Sequence, residues 1–288
     1  MICLTGDIHH ISLKTKEQKF LSSGETEVKI AERFLKIIEK YRVKVTFFIT
    51  GKTFDEEWND LKKIVSSSFV EIGGHTYSGI PAGKIYKLWC KIKNGYLPTH
   101  SPTYGSLFKQ KRDIKKMIEV VKKKADLNII SWRSHGYIHD ENTYIILSKM
   151  GIKIVSDEIS SKKIYPEKIK EGLISVPINV IPDHDHIYHA HRDKDFVEKA
   201  KRVGYGKDDF GIDSYDIKTW GEMVIEQVYR IEKNGGIATI LMHPLCMYLS
   251  DEFKTAEKLI NFFSKFDTIW IKDVYYRGLF NDIMLVKR

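Results

Sequence analysis

Ionisable side chains follow the ends of several apolar runs in the sequence. Each run has the composition of a buried strand, and the residues after it include an aspartate, an arginine or histidines. Carboxylate and imidazole groups act as general bases and acids near neutral pH, and imidazole is also a common zinc ligand. The residues that carry this chemistry are Asp7, His9, His75, Arg133, His135 and His243. We therefore expect a site built from strand ends, if the fold brings those ends together.

Strands and helices alternate along the chain, which predicts a parallel sheet with helices packed on it. Strands are predicted at residues 1–5, 43–50, 69–73, 127–132, 152–156, 173–180, 237–242 and 268–271. Amphipathic helices are predicted at residues 25–41, 56–66, 113–124, 142–150, 214–233 and 251–266. About seven β units without a break in composition favour one barrel-like α/β domain, in which the carboxyl ends of the strands share one face.

The bulk composition excludes several classes of protein. Hydrophobic residues make up 42% of the 288-residue chain, enough to form a core. The net charge of +9 comes largely from lysines on helix-like segments such as residues 111–124, so nucleic acid is not an expected partner. No Gly-x-Gly-x-x-Gly motif follows the first strand, so a dinucleotide-binding fold has no direct support.

Cysteine usage and apolar segments bear on location. Cys3, Cys90 and Cys246 form neither a disulfide framework nor a metal-binding motif. No apolar stretch approaches the ~20 residues of a membrane span, and no signal peptide precedes the first strand. We therefore expect a soluble, cytoplasmic protein with no transmembrane segment, and the sequence makes no prediction of its oligomeric state.

Residues 80–110 form a loop-rich insertion in the single domain predicted for residues 1–288. They contain three prolines and three glycines, with a short helix predicted near residues 84–92. Long insertions with little regular structure often have a function. We therefore expect this segment to form a lid or a substrate rim.

The strand-end motifs resemble those of a known family, the polysaccharide deacetylases with NodB homology (carbohydrate esterase family 4). The resemblance spans nearly the whole chain, in the family's order. It is carried by Leu4–Asp7, Val45–Gly51, Glu71–Ser78, Trp132–Tyr137 and Ile240–Pro244. The resemblance implies a distorted (β/α) barrel and a hydrolase that removes acyl groups from amino sugars. It also implies a carbohydrate substrate and a divalent metal, commonly zinc.

The same resemblance implies roles for four residues. Asp7 corresponds to the general base that deprotonates the attacking water, and Arg133 to the residue that orients this base. His75 corresponds to a metal ligand, and His243 to the general acid that protonates the leaving amine. The division of labour is chemically reasonable, because a metal polarises an unreactive amide and lowers the pKa of bound water.

The chain departs from the family pattern at two positions. Gly79 stands where a second metal-binding histidine usually follows the first, and His9 stands in place of the usual metal-binding carboxylate. We expect His9 and His75 to bind the metal. Catalytic zinc normally has three protein ligands. The candidates for the third ligand are His10, His135 and a residue of the loop Asp183–His186. Asp7 could also bind the metal, in which case another residue would act as the base.

Other residues are expected near the substrate. His135 and Tyr77 are predicted to contact it, and aromatic rings at Trp132 and Tyr137 are further candidates for stacking on a sugar, although Trp132 is equally consistent with the core. Asp183 lies in a loop rich in histidine, extending to Arg192. This aspartate is predicted either to tune His243 or to form part of a substrate rim.

Three functions are compatible with these motifs. The first is a metal-dependent deacetylase of an amino sugar or glycan. The second is a metal-independent amidohydrolase for a small cyclic or ureido substrate, which the glycine at position 79 favours. The third is a sugar-binding protein that keeps the barrel and has lost turnover.

Overall fold

A computed structural model describes residues 1–94, 101–204 and 206–281. Within them, eight strands form one sheet. The strands are β1 (Ile2–Ile8), β2 (Val45–Ile49), β3 (Val70–Gly74), β4 (Ser131–Trp132), β5 (Ile154–Val155), β6 (Glu167–Lys168), β7 (Ile174–Ser175) and β8 (Ala238–Leu241). Their order across the sheet is β6-β7-β5-β4-β3-β2-β1-β8.

All neighbouring strands are parallel except β6, which pairs antiparallel with β7 at one edge of the sheet. The long strands β1, β2 and β3 occupy adjacent positions, and every residue of β1 is buried. Such continuous burial is expected of a parallel strand covered on both faces. The predicted fold class, a distorted (β/α) barrel with about seven parallel strands, is confirmed, with the antiparallel β6 as an addition.

Helices cover the sheet. In the described residues they are α1 (Glu27–Tyr41), α2 (Gly51–Glu56), α3 (Trp58–Val65), α4 (Lys84–Asn94), α5 (Leu107–Ala125), α6 (Glu141–Lys149), α7 (Lys194–Val203), α8 (Ile217–Lys233), α9 (Pro244–Asp251), α10 (Lys254–Phe263) and α11 (Ile271–Tyr276). Helix α1 shows why the sequence folds this way. The Thr26 side chain caps its first turn by accepting from the amide of Lys29, and its apolar face is buried.

One predicted element was wrong at the carboxyl-terminal side of the fold. Residues 268–271 were predicted as a core strand, but Thr268 makes only an isolated bridge to Ile2, and a helix begins at Ile271. The helix predicted at residues 251–266 is present as α10, and a break separates it from α9, which the sequence did not predict. The break lies at Glu252 and Phe253, whose left-handed backbone (φ 53° and 71°) ends one helix before the next begins.

The insertion at residues 80–110 contains α4, where a short helix was predicted, and it runs into the start of α5. Residues 95–100 lie outside the described part of the chain. Helix α4 exposes the large apolar side chains Ile85, Leu88 and Ile92. The division of the chain into one domain with a substrate rim stays a prediction.

No helix among the described residues is both long and apolar enough to cross a bilayer. The predicted cytoplasmic location stays a prediction.

Candidate active site and metal centre

The predicted strand ends do converge on one cavity. Asp7 lies near the end of β1, His75 follows β3, Arg133 follows β4 and His243 follows β8. The cavity has a volume of about 250 Å³. Its lining includes Asp7, His9, Glu17, Glu27, His75, His135, Tyr137, His184, His191, His243 and Cys246.

Two adjacent glycines end β3 and allow this convergence. Gly74 is the register partner of Trp132, and a Cβ on Gly74 would collide with the Trp132 ring. A Cβ on Gly73 would lie 2.5 Å from the ring of Phe48. Because Gly74 lacks a side chain, the Trp132 ring of β4 packs directly on the end of β3, and the missing side chain at Gly73 makes room for Phe48 of β2. This places Arg133, the residue after Trp132, against the end of β1.

Arg133 and Asp7 form a buried ion pair. Nη1 of Arg133 lies 2.9 Å from Oδ1 of Asp7, and the Arg133 side chain has no exposed surface. Nη2 donates to the hydroxyls of Thr5 and Ser156, and Nε donates to the carbonyl oxygen of Ser156. The guanidinium also stacks over the Phe48 ring at 4.4 Å. A guanidinium with this many partners has one orientation, so it fixes the position of the Asp7 carboxylate.

The Asp7 carboxylate is held in its ionised form. Burial alone would raise its pKa, but the Arg133 guanidinium above all, together with His243, holds the pKa of Asp7 well below its usual range. Its second oxygen, Oδ2, lies 3.7 Å from Nε2 of His75 and 3.6 Å from Nε2 of His243. Asp7 is therefore an ionised carboxylate with one oxygen directed towards two imidazoles.

His243 has the opposite charge preference. Its Nδ1 donates to Oδ1 of Asp183 at 2.7 Å, and its backbone amide donates to the other oxygen of the same carboxylate. Burial would lower the pKa of His243, but Asp183 and Asp7 raise it well above 6.5. The ring is therefore protonated near neutral pH, as a general acid requires. Asp183 has no exposed surface, so its position suits the tuning of His243 that was one of its two predicted roles.

Three histidines form a cluster beside Asp7, which we call the imidazole triad: His9, His75 and His135. One ring nitrogen from each lies within 4.8 Å of the others. The three come from the loops after β1, β3 and β4, so the fold gathers them from widely separated parts of the sequence. Three imidazoles with room for a water are the ligand set of several catalytic zinc sites.

The hydrogen bonds of the triad fit a metal. Nδ1 of His75 donates to the carbonyl oxygen of Arg133 at 2.8 Å, which leaves a lone pair on Nε2. That Nε2 atom is buried and has no hydrogen-bond partner among the described residues. Nδ1 of His9 donates to the Glu27 carboxylate at 2.8 Å. Metal-bound histidines usually donate their other ring N–H to a carbonyl or carboxylate in this way.

Burial also keeps the His75 ring in its neutral form. It lowers the pKa of His75 to about 3, against a usual value of 6.5, so the ring is neutral at physiological pH. A neutral imidazole is the form that binds metal.

The structure explains how the site does without a histidine at position 79. Gly79 has φ +69°, and a Cβ there would lie 2.9 Å from the Leu13 side chain. His10, another of the predicted third ligands, is instead hydrogen-bonded to Thr50 at 2.9 Å in a separate environment. His135 lies in the triad, so its position suits a third ligand. Its predicted contact with substrate stays a prediction.

Of the three aromatic residues considered for substrate contact, one lines the cavity and two do not. Trp132 is fully buried in the core, with Nε1 donating to Ser134. The Tyr77 hydroxyl donates to Asp55 and its ring lies under Lys116, and Tyr77 is not among the residues that line the cavity. Tyr137 does line it. The substrate contact predicted for Tyr77 therefore stays a prediction without support from the cavity.

Glu27 and Glu17 are cavity residues that the sequence did not reveal. Glu27 is the first residue of α1 and is 2% exposed, and its carboxylate reaches His9 and Gln18. The sequence pattern around Glu27 gave little indication that this residue faces a cavity. A glutamate in the first turn of a helix is expected at the surface for its interaction with the helix dipole.

Taken together, the curled parallel sheet, the buried carboxylate–arginine pair and the imidazole triad define a barrel hydrolase of the deacetylase type. Residues 23–155, just under half of the chain, match the family model for polysaccharide deacetylase. Over this segment the chain is similar to that family. The predicted resemblance and the prediction of a deacetylase-type hydrolase acting on amide bonds are thereby confirmed. No curated protein matches the chain by sequence.

Solved structures extend the likeness in fold to nearly the whole chain. A Mycobacterium smegmatis protein assigned to the polysaccharide deacetylases is 14% identical, with a TM-score of 0.68 over 98% of this chain and 91% of its own. PuuE allantoinase is 11% identical, with a TM-score of 0.61 over 99% of this chain and 88% of its own. A family 4 acetyl xylan esterase from Clostridium thermocellum, in complex with a cobalt ion, is 15% identical, with a TM-score of 0.51 over 100% of this chain and 96% of its own. At these identities the likeness shows the fold.

Proposed function

We propose that this protein hydrolyses the N-acyl group of an acylated amino sugar or glycan. The observation that carries the proposal is the arrangement around Asp7. An ionised carboxylate, fixed by Arg133, lies 3.6 Å from the protonated ring of His243. Base and acid therefore have opposite protonation states at the same pH, which is what hydrolysis of an amide requires.

The imidazole triad would hold a divalent metal, and zinc suits three imidazole ligands best. Bound there, such an ion would polarise the substrate carbonyl and lower the pKa of a water molecule. The cobalt ion of the structurally similar acetyl xylan esterase supports the choice of a divalent cation.

The protein's own side chains carry out the two proton transfers. Asp7 accepts a proton from the attacking water on Oδ2, while Arg133 keeps Oδ1 occupied and the carboxylate ionised. His243 donates its Nε2 proton to the nitrogen that leaves. Asp183 holds Nδ1 of His243, so that Nε2 is the nitrogen directed at the cavity. Each proton transfer contributes typically ~10²–10⁴-fold to the rate.

A carbohydrate substrate agrees with the family match and with the lining of the cavity. Tyr137 is half-buried there and offers an aromatic face beside the catalytic carboxylate. The proteins of similar structure include one assigned to the polysaccharide deacetylases and a family 4 acetyl xylan esterase, whose names point to carbohydrate.

The test is acetate release from a panel of N-acetylated sugars and oligosaccharides. We expect activity that a chelator abolishes and that added zinc or cobalt restores, and a loss of ~10²–10⁴-fold in activity for Asp7→Asn. Chelator-resistant hydrolysis of a small cyclic ureide would favour the metal-independent amidohydrolase instead. Binding of glycans without turnover, unaffected by His243→Ala, would favour the sugar-binding protein.

A further inference from the structure

A second group of metal-ligating side chains lies on the other side of His243. It consists of His184, His189 and Cys246, which we call the His–Cys cluster. One ligand atom from each residue lies within 4.8 Å of the others. His189 is 5% exposed and Cys246 is 2% exposed, while His184 lines the cavity. None of these residues has a role in the proposed hydrolysis.

The His–Cys cluster contains a buried atom that nothing else explains. Nδ1 of His189 donates to the carbonyl oxygen of Ile187 at 2.9 Å, which leaves a lone pair on Nε2. Nε2 is buried and has no hydrogen-bond partner among the described residues. An unpaired buried polar atom carries a cost in free energy. A cation at Nε2 would remove this cost, and the hydrogen bond at Nδ1 is the one that usually orients a metal-bound histidine.

The neighbouring groups fit the same ligand. Nδ1 of His184 lies 3.9 Å from Sγ of Cys246, near the separation of two ligands on one tetrahedral ion. Glu17, which is 7% exposed, lines the same cavity and adds a negative charge close by.

We propose that His184, His189 and Cys246 form a second metal site, separate from the imidazole triad. A thiolate with two imidazoles is a soft ligand set that selects Zn²⁺ among the common divalent ions, with Co²⁺ as a spectroscopic substitute. The site is distinct, because the ring of His243 lies between the two groups. Its centroid is 6.4 Å from that of His9 and 5.6 Å from that of His184.

The position of this site indicates what the ion does. His184 follows Asp183 directly, and Cys246 lies one helical turn after His243. A metal bound by both residues ties together the two segments that carry the Asp183–His243 pair. The ion therefore stabilises the loop containing Asp183 against helix α9 and preserves the hydrogen bond that orients His243.

The inference does not depend on the proposed reaction, so its test measures binding rather than turnover. The whole protein is stripped of metal, incubated with Zn²⁺, dialysed and assayed for zinc per chain. We expect two zinc ions in the wild type and one in Cys246→Ser or His189→Asn. Asparagine at position 189 can keep the hydrogen bond to Ile187 while removing the proposed ligand atom. Cys90→Ser, which alters a buried cysteine elsewhere, serves as the matched control and should keep both ions.

Two further measurements make the result decisive. In the cobalt-loaded protein, a thiolate-to-metal charge-transfer band should be present and should disappear in Cys246→Ser while persisting in His75→Ala. Circular dichroism identifies any variant that fails to fold. If Cys246→Ser fails to fold, the zinc content of His189→Asn tests the site instead. One zinc per wild-type chain that is lost in His75→Ala, or no thiolate band in the wild type, would overturn the proposal.

Discussion

The carbonyl oxygen of Arg133 accepts a hydrogen bond from Nδ1 of His75 at 2.8 Å. The side chain of the same arginine pairs with Asp7. One residue therefore orients both the proposed base, through its side chain, and a proposed metal ligand, through its backbone. Displacement of the loop after β4 would disturb both parts of the site at once.

Asp7→Asn should remove the base while leaving the shape of the site intact. We expect kcat to fall by ~10²–10⁴-fold with KM little changed, because the asparagine cannot accept the proton. Steady-state kinetics of acetate release would measure this, with zinc content as the control for an intact triad. An equal loss of bound zinc would instead identify Asp7 as a metal ligand, the alternative that the sequence left open.

Arg133→Met should destabilise the protein because it leaves Asp7 buried without its cation. Removing one partner of a buried pair costs about 3–5 kcal/mol, measurable by urea unfolding. The arginine lowers the pKa of Asp7, so its loss raises that pKa. On acidification, the variant should therefore lose the stability that ionised Asp7 provides at a higher pH than the wild type does. Arg133→Lys, which keeps the charge, should show a smaller shift in the same direction.

Each residue of the imidazole triad should be required for zinc binding. Alanine at His9, His75 or His135 should each abolish stoichiometric zinc binding at that site, because three protein ligands are needed. His139→Ala is the matched control, since His139 lies close in sequence but is exposed and stacks on Tyr144. Full retention of zinc in His135→Ala would contradict the assignment of the third ligand. Equilibrium dialysis against a competing chelator gives the affinities.

Glu27 should affect the metal without touching it. Its carboxylate accepts from His9, and loss of such a partner typically lowers metal affinity ~10–100-fold. Glu27→Gln keeps an acceptor and should lose less affinity than Glu27→Ala. Equal affinities for the two variants would show that the hydrogen bond to His9 is unimportant.

Restoring the family's second histidine should fail in this chain. Gly79→His would require a side chain at φ +69° and a Cβ within 2.9 Å of Leu13. We expect lower stability and no gain in zinc affinity, measured by thermal unfolding and by dialysis. A higher affinity would show that Leu13 and the backbone adjust to form the usual ligand pair.

His10 predicts a pH dependence of stability. Burial lowers its pKa to about 3, whereas an unfolded histidine titrates near ~6.5. The unfolded chain therefore binds this proton first, so the free energy of unfolding should fall as pH drops from about 6.5 towards 3. His10→Asn should make that fall shallower, in unfolding experiments with chelator at each pH. An unchanged slope, matching that of His139→Asn, would exclude His10 as a source of acid lability.

The sequence predicted the parts of the site that lie directly after strands. Asp7, His75, Arg133 and His243 could be placed because apolar runs mark the strands and parallel topology brings their ends to one face. Glu27 could not, because nothing in a local pattern shows that the start of a helix will face a cavity. The same limit applies at residues 268–271, where an apolar run read as a strand continues into α11. Tertiary packing decides such short runs.

The third ligand shows the limit most clearly. His135 was one of several alternatives, because the spacing of residues along the chain says nothing about which loop side chains reach a common centre. The choice depends on how closely β4 packs on β3, and the two glycines that allow it were visible only as part of the histidine motif.

The sheet order has a consequence for how the chain is made. Strand β8 pairs with β1, with Thr5 opposite Leu241, although nearly the whole chain separates them. During synthesis, the three imidazoles emerge long before His243. Until β8 docks, β1 is an open edge strand whose backbone can pair with another chain. A nascent molecule therefore carries the metal-binding groups early, acquires its acid last and is most prone to aggregate in between.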